Sequence, residues 1–288
     1  MKKLRNLSLW LLAAALLLSA CGGAGKQSQT APEQESGQQP QLQVFFFSCG
    51  KADAMLLTTE HGAVLLDAGN KGFGKEILAY CRDKGIYSLD YLILSHFDKD
   101  HIGGAPRVLQ GLPVRQLLQP DGPGEGSAWE NYAAALQELG VEPVTVREDL
   151  SFTLDGVRFT VNPPKASNYA DSAANNVSLI VSVECGDCRL LFTGDAENLR
   201  LEEWTAAHRE RCDFIKMPHH GAWHRALEPL LTQAQPSYAL ITCSDAEPEE
   251  AKTLRKLEKL DVQVFLTRLG PVLLDCDGRS ISLHYVDK

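Results

Sequence analysis

Apolar residues along the chain form short runs separated by glycine, proline and charged residues, a pattern typical of alternating strands and helices. Near the start of the body of the chain, four runs predict strands: LQVFFFS (42–48), AMLLTT (54–59), AVLLD (63–67) and DYLILS (90–95). A weaker strand, VRQLLQ, precedes a glycine- and proline-rich loop over 120–127. Helices are predicted over 75–84 and over AWENYAAALQELG, the second closed by Gly140.

The second half of the chain repeats this style. Two hairpins are predicted, SFTLDGVRFTVN around Asp155-Gly156 and NVSLIVSVE with RLLFTGD around Gly186-Asp187. The strands YALITC and VQVFLT then alternate with helices predicted over 196–208, 224–233 and 249–259, and a last hairpin runs through RSISLHYV. Two strand-rich halves, each followed by helices, predict an α/β fold in which two sheets form a sandwich with helices outside.

The first twenty residues, MKKLRNLSLWLLAAALLLSA, have a basic start, an apolar core and small residues before a cysteine, which predicts an export signal over residues 1–20. The apolar stretch is shorter than the roughly 20 residues that a membrane span needs, which disfavours a transmembrane anchor. Residues 21–40 are rich in Gly, Gln, Ser and Pro and predict a flexible tether. Residues 41–288 fit one domain of a common α/β size.

The end of the signal, LLSAC, resembles the lipobox of bacterial lipoproteins. This resemblance implies that Cys21 becomes a lipidated N-terminus after cleavage. We therefore expect the protein at the extracytoplasmic face of the bacterial cell membrane, anchored by the lipid on Cys21. The sequence identifies no protein partner.

Net charge limits the ligands that the surface can hold. The formal net charge is −9, and residues 1–20 contribute +3 with no acidic residue, so the rest of the chain carries −12. Such a surface does not bind a polyanion nonspecifically, so phosphate chemistry would be confined to a metal-loaded or locally positive cleft.

Seven cysteines follow Cys21, an odd number that cannot all pair. Most of them lie in apolar runs, which favours buried thiols.

Four acidic or imidazole side chains follow the predicted strand DYLILS within the stretch SHFDKDHIGG: His96, Asp98, Asp100 and His101. Gly103 and Gly104 permit a bend there, so a tight loop could direct all four side chains into one small volume. A solvated acidic turn is the alternative interpretation of this loop. The motif alone does not decide between a metal site and such a turn.

Two further strand ends favour the metal site. LLFTGDAE ends a strand at Asp195, and IKMPHHGAWH ends another at His219 and His220. Strand ends that release Asp or His into loops are where α/β folds bind ligands. Counting one of His219 and His220, six candidate ligands exceed the four of one tetrahedral ion, so a pair of metal ions with a bridging carboxylate fits better.

The order of LLDAGN, SHFDKDHIGG, LLFTGDAE and PHHG resembles the metallo-β-lactamase fold superfamily. Within it, SCGKADA (48–54) and NNVSL (175–179) are similar to the extracellular hydrolase domain of ComEC-type DNA-uptake proteins. The resemblance covers roughly residues 42–243. It implies an αββα sandwich of two mixed β-sheets flanked by helices, and a metal-dependent hydrolase.

The resemblance also implies roles for individual residues. His96 and Asp98 would hold one metal ion, Asp100 and His101 the second, and Asp195 would bridge the two. His220 is the expected final ligand, while His219 and Asn176 would lie next to the ligands without binding metal. Asp67 would orient the ligand loop by hydrogen bonding. Asp100 would also act in catalysis, by orienting the attacking water.

The ligand set bears on the choice of metal. The superfamily's usual loop is HxHxDH, and this chain has Asp98 at the second His position, as the ComEC-like group also does. The extra oxygen donor shifts the preference from zinc toward manganese or another hard divalent ion. NNVSL provides no His, so the ion at His96 is expected to be held less tightly. The ComEC-like group usually has HHGS at the last motif, and this chain has HHGA, so the serine hydroxyl is replaced by the methyl group of Ala222.

Three functional hypotheses follow. The first is a lipid-anchored, metal-dependent phosphodiesterase or nuclease that acts on DNA, with Lys51 and His224 as possible substrate contacts. The second is a hydrolase of a small ester, a lactone or a phosphocholine-bearing wall polymer. The third is a non-catalytic lipoprotein that binds DNA or metal. The ligand set favours the two enzymes, with two divalent ions, zinc or manganese, as cofactors. His61, His208 and His284 are interpreted as structural or solvent-facing.

Overall fold

The computed structural model describes residues 41–286. The predicted signal over residues 1–20, the tether over 21–40 and Cys21 therefore lie outside the described residues. Between residues 41 and 286, no helix combines the length and the hydropathy that crossing a membrane would require.

Fifteen strands form two sheets in the described part of the chain. Those of the first sheet are β1 (Leu42–Phe46), β2 (Ala54–Thr58), β3 (Ala63–Ala68), β4 (Leu89–Ile93), β5 (Val114–Pro120), β6 (Val144–Val146), β14 (Val272–Cys276) and β15 (Ile281–Tyr285). Those of the second are β7 (Leu150–Leu154), β8 (Val157–Asn162), β9 (Ile180–Cys185), β10 (Cys188–Phe192), β11 (Phe214–Lys216), β12 (Tyr238–Ile241) and β13 (Gln263–Leu266).

Eight α-helices connect these strands within residues 41–286, and five of them have eight or more residues. They are α1 (Gly74–Asp83), α2 (Lys99–Ile102), α3 (Ala105–Gly111), α4 (Gly126–Leu139), α5 (Ala173–Asn176), α6 (Asn198–Ala207), α7 (Leu227–Ala234) and α8 (Ala251–Lys259). Two 3-10 turns, Pro218–Gly221 and Thr267–Leu269, follow β11 and β13.

Both sheets contain parallel and antiparallel strand pairs. The first has the order β15-β14-β1-β2-β3-β4-β5-β6, antiparallel up to β3 and parallel from β3 to β6. The second has the order β13-β12-β11-β10-β9-β8-β7, parallel from β13 to β10 and antiparallel from β10 to β7. The predicted sandwich of two mixed sheets is thereby confirmed.

Strand alternation explains why the sheets pack face to face. Successive side chains of β1 point to opposite faces, so Val44 and Phe46 enter the layer between the sheets while Phe45 points outward. The Phe46 ring lies 6.2 Å from that of Phe192 and 5.3 Å from that of Phe214, both in the second sheet. On the outer face, Phe45 stacks on Tyr80 of α1 at 4.0 Å.

The outer face of the second sheet is covered in the same way. Ile215 of β11 lies in one buried apolar cluster with Leu201 of α6, Leu227 of α7 and Leu257 of α8. Each such side chain contributes roughly 1.5–3 kcal/mol when it is fully buried, so the helices are held mainly by their apolar faces. The layer order is therefore helices, sheet, sheet, helices.

The bend at Gly103 and Gly104 has a different cause from the one expected. Both residues have ordinary helical φ values, −58° and −86°, so conformational freedom is not what requires glycine here. A Cβ at Gly104 would lie 2.1 Å from the carbonyl oxygen of Ala68, and one at Gly103 would lie 2.4 Å from the backbone N of Lys71. The two glycines thus let α2 and α3 pack directly against the backbone that follows β3.

Candidate metal centre

Strand ends from both sheets meet at one edge of the sandwich. β4 leads to His96 and then, through the helical turn α2, to His101. β10 ends three residues before Asp195, and β11 leads into the 3-10 turn that carries His220. The carboxyl ends of strands are the usual ligand-binding edge of α/β sheets.

A β-bulge turns Asp67 toward this edge. The pairing of β2 with β3 shifts register between Ala54 and Met55, which leaves Asp67 as the extra residue. Its φ of 55° lies in the left-handed region that non-glycine residues rarely adopt. The Asp67 carboxylate accepts hydrogen bonds from the backbone N–H and the hydroxyl of Ser95, both at 2.7 Å.

Asp195 is the centre of the cluster. Its Oδ1 lies 3.3 Å from Nε2 of His101, and its Oδ2 lies 3.2 Å from Nε2 of His220. The same His220 nitrogen lies 3.3 Å from Oδ2 of Asp100. The four donor groups lie within 4.8 Å of one another, and all but Asp100 are buried.

These buried donors fit a metal ion better than they fit one another. Nε2 of His96, His101 and His220 and Oδ1 of Asp195 have no hydrogen-bond partner, although burying such atoms unpaired is costly. Charge-assisted hydrogen bonds are about 2.7–2.9 Å long, shorter than the separations found here. Around a tetrahedral ion with bonds of 2.0–2.1 Å, neighbouring donors lie about 3.3 Å apart, as these do.

Hydrogen bonds at Nδ1 hold two of the histidines in the orientation that a metal ligand needs. Nδ1 of His101 lies 2.8 Å from Oδ2 of Asp67. Nδ1 of His96 lies 3.0 Å from the hydroxyl of Ser95, which itself donates to Asp67. In each ring the proton is therefore assigned to Nδ1, which leaves the lone pair of Nε2 directed into the centre.

His220 has an equivalent arrangement on the second sheet. Its Nδ1 lies 2.8 Å from the hydroxyl of Thr242, which donates to Oδ1 of Asp53 at 2.7 Å. Both His219 and His220 have left-handed backbones, with φ of 45° and 52°. Because of these two strained backbones, the His220 side chain contacts Asp195 and the His219 side chain contacts Glu197.

A fully buried ion pair supports this side of the centre. Lys216, at the end of β11, contacts the carboxylate of Asp53 from the β1–β2 turn. Its ammonium also donates to the carbonyl of Gly194 at 3.2 Å and lies 3.6 Å from Oδ1 of Asp195. The pair thus connects the second sheet to the first next to the candidate bridging carboxylate.

The pKa values of the donors reflect their mutual charges. Burial opposes protonation of His101 and His220, but Asp195 raises the pKa of both rings, that of His220 to about 9. Burial works to raise the pKa of Asp195 and Asp100, yet the histidines hold both values below the ordinary range. Without metal, the His220 ring therefore carries an extra proton at neutral pH.

Protons and metal ions should consequently compete for this centre. Because His220 must release a proton with a pKa of about 9 before Nε2 can bind metal, we expect affinity to rise steadily from pH 6 to pH 9. Competition with a chelator of known pH dependence measures this. An affinity unchanged over that range would contradict the assignment of His220 as a ligand.

His96 and Asp98 lie beside the four-donor cluster. The rings of His96 and His101 are 4.0 Å apart, and Nε2 of His96 lies 3.7 Å from Oδ2 of Asp98. Asp98 has 46% of its side chain exposed, and the neighbouring His96 lowers its pKa. Its exposure agrees with a second metal position open to solvent.

The remaining predicted residues have different surroundings. Asn176 is buried, accepts from the backbone N–H of Arg200 and donates to the carbonyl of Asp171, so it connects a loop to α6 and not to a ligand. Lys51 lies in the β1–β2 turn, outside the four-donor cluster. His224 contacts His219.

Sequence reasoning missed four residues that support the ligands: Ser95, Thr242, Asp53 and Lys216. The two charged residues gave a signal, since each interrupts an otherwise apolar run, in KADAMLLTT and DFIKMP. Charged residues are almost never fully buried unless paired, so each implies a partner. Their sequence separation conceals that they are each other's partner.

Comparison with known proteins identifies the family. Residues 48–244 match the model of the metallo-β-lactamase superfamily, which is more than half of the chain. The chain is 29% identical over 248 residues to ComE operon protein 3 of Bacillus subtilis, covering 78% of this chain and 32% of that protein. It is 29% identical over 226 residues to Recombination protein 2 of Haemophilus influenzae, covering 77% of this chain and 26% of that protein.

The chain therefore spans about a third or less of the length of these relatives, and the predicted resemblance to ComEC-type proteins is confirmed. Among solved structures, the metallo-β-lactamase fold protein YhfI of Bacillus subtilis has a TM-score of 0.52 at 16% identity, covering 78% of this chain and 96% of that chain. The fold, the converging donors and the family match lead to one conclusion: the chain belongs to the metallo-β-lactamase superfamily, which indicates a metal-dependent hydrolase.

Proposed function

We propose that the protein is a lipid-anchored, extracytoplasmic, metal-dependent phosphodiesterase that cleaves DNA. The observation that supports this most is the set of buried donors around Asp195 that lack hydrogen-bond partners. Two divalent ions, zinc or manganese, bound by these donors and by His96 and Asp98, would lower the pKa of a bound water and neutralise charge developing on a phosphate.

Asp100 is suited to orient the attacking water. Its side chain is 21% exposed, whereas His101 and His220 beside it are buried. Burial works to raise its pKa, but the neighbouring His220 and His101 hold it below the ordinary range, so the carboxylate is ionised at neutral pH. An ionised carboxylate accepts a hydrogen bond from water, which is what orienting the water requires.

The ligand set and the relatives support a nucleic acid as the substrate, while net charge limits where it could bind. The chain carries a formal net charge of −9, so a polyanion would gain little from the general surface and would be held chiefly at the metal centre. Carboxylates provide half of the six proposed ligands, which suits ions that bind phosphate oxygens. One relative is named a recombination protein and another, from Neisseria gonorrhoeae, a competence protein.

A panel of substrates tests the proposal. The full-length chain, kept in detergent, is assayed on a simple phosphodiester, single-stranded and duplex DNA, a lactone and a phosphocholine ester. We expect cleavage of the phosphodiester and of DNA, loss of it on chelation, and recovery with manganese or zinc. Turnover of the lactone or phosphocholine ester alone would favour the second hypothesis. Binding of DNA with no metal-dependent turnover would favour a binding lipoprotein.

The proposed location has a separate test. The wild-type protein should fractionate with membranes, and Cys21→Ala should block lipidation and processing. Metabolic labelling with a fatty acid, followed by cell fractionation, measures both. Release of the wild-type chain as an unlipidated soluble protein would contradict the anchor and leave the proposed hydrolase unaffected.

A further inference from the structure

A second group of ligand-type side chains lies beside the centre described above and shares no residue with it. It consists of Glu197, His219 and His224, whose donor atoms lie within 4.8 Å of one another. Nδ1 of His219 lies 3.2 Å from Oε1 of Glu197 and 3.3 Å from Nε2 of His224. We call these three residues the outer cluster.

Three separate segments are held so that these side chains converge. Glu197 is the residue before α6, and the amide of Asn175 donates to its Oε1 at 2.7 Å. His219 is fixed by its left-handed backbone and by the hydrogen bond from its N–H to the carbonyl of Gly194. His224 lies before α7, and its carbonyl accepts from the N–H of Leu227.

Hydrogen bonding does not account well for this geometry. Nδ1 of His219 has one position for a proton, yet it faces a carboxylate oxygen and an imidazole nitrogen at nearly equal distances. One proton at that nitrogen can be directed at only one of the two. The two separations, 3.2 and 3.3 Å, are again those of neighbouring donors around a tetrahedral ion.

We propose that the outer cluster is a third metal site, which binds zinc through Glu197, His219 and His224. Two imidazoles and one carboxylate form a donor set that binds zinc better than it binds harder ions such as manganese. The side chains of His219 and Glu197 are 27% and 13% exposed, so the fourth position faces solvent. Three protein ligands and an open position are typical of zinc sites that exchange a water or an anion.

The site is close to the first centre without merging with it. The rings of His219 and His220 point apart from consecutive residues, with centroids 6.2 Å from each other. An ion held by His219 adds positive charge next to the ions held by His220 and its neighbours. Its open position would accept an oxygen of an anionic ligand, such as inorganic phosphate.

Counting ions in matched variants tests the third site. The full-length chain in detergent is stripped of metal, reloaded with zinc and passed through a desalting column before metal analysis. We expect three ions per chain in the wild type and two in His224→Ala. Asp195→Ala, which disables the first centre, should keep one ion, and the double variant Asp195→Ala with His224→Ala should keep none.

A second substitution and a surface control make the ion count specific to the outer cluster. Glu197→Gln keeps an acceptor for Asn175 but weakens metal binding, so it should also hold one ion fewer than the wild type. His61→Ala removes an exposed histidine that likewise lies beside a glutamate, Glu60 at 3.6 Å, and should hold three. Near-ultraviolet circular dichroism verifies that each variant is folded.

The result that overturns the third site is equal zinc content in the wild type, His224→Ala and Glu197→Gln. Loss of the ion in His61→Ala would likewise overturn it, because the extra zinc would then be a surface contaminant. The site does not depend on the proposed phosphodiesterase. Zinc retained by Asp195→Ala and lost in the double variant supports the outer cluster even if no substrate is cleaved.

Discussion

Asp195→Ala is expected to remove both ions of the centre and to lower cleavage by about 10³-fold or more. The resemblance gives this carboxylate the bridging position, and in the structure its two oxygens lie against His101 and His220, within the four-donor cluster beside His96. Metal ions contribute several kcal/mol to such reactions, and each 1.4 kcal/mol is a factor of ten in rate. Bound manganese and phosphodiester cleavage are measured on the same preparation. Manganese is used because the outer cluster binds it poorly and so does not add to the ion count.

Two further variants make this result specific. His101→Ala removes a ligand of the second ion only. It should therefore lose that ion and retain the one at His96 and Asp98. Asp187→Ala changes an exposed aspartate in the turn between β9 and β10, and it should match the wild type in both measurements. If Asp195→Ala keeps two ions and the wild-type rate, Asp195 is not the bridging ligand.

Asp53→Asn is expected to cause the largest loss of stability, about 3–5 kcal/mol in the free energy of unfolding of the metal-free protein. The substitution keeps the shape of the side chain but leaves the ammonium of Lys216 buried without its main partner. Breaking a buried ion pair from one side costs that much because the remaining charge is not solvated. Chemical denaturation in the presence of a chelator measures the change.

The double variant Asp53→Asn with Lys216→Met separates charge from packing. Removing both charges together should restore much of the lost stability, because no unpaired charge remains. As a surface control, Glu228→Gln breaks the ion pair with Lys256 at 2.8 Å, in which Glu228 is 64% exposed, and should have a far smaller effect. A double variant as unstable as Asp53→Asn would show that the ion pair is not the cause.

Long elements and the loop with four candidate ligands could be predicted because the sequence shows them locally. The apolar run in LQVFFFS predicts β1, and the apolar run DYLILS ends just before His96. The helices α2 and α3 could not be predicted, since they have only four and seven residues and adjacent glycines separate them, which leaves too short a pattern to recognise. Their stability comes from close contact with the chain after β3, which no local pattern records.

The choice of His220 over His219 came from the resemblance and could not be derived from the residues themselves, for a related reason. It depends on two successive left-handed backbones, and neither residue type signals them. The bulge that directs Asp67 is hidden in the same way, because AVLLD looks like uninterrupted strand. Sequence indicates which side chains could bind metal, while tertiary packing determines which of their atoms meet.

The cross-sheet position of Asp53 and Lys216 has a consequence for how the sandwich can open. One residue belongs to the first sheet and the other to the second, and Thr242 adds a hydrogen bond between the same two layers. Opening the sandwich at the metal-binding edge would separate this buried ion pair and break the hydrogen bond of Thr242, so we expect local opening there to be rare.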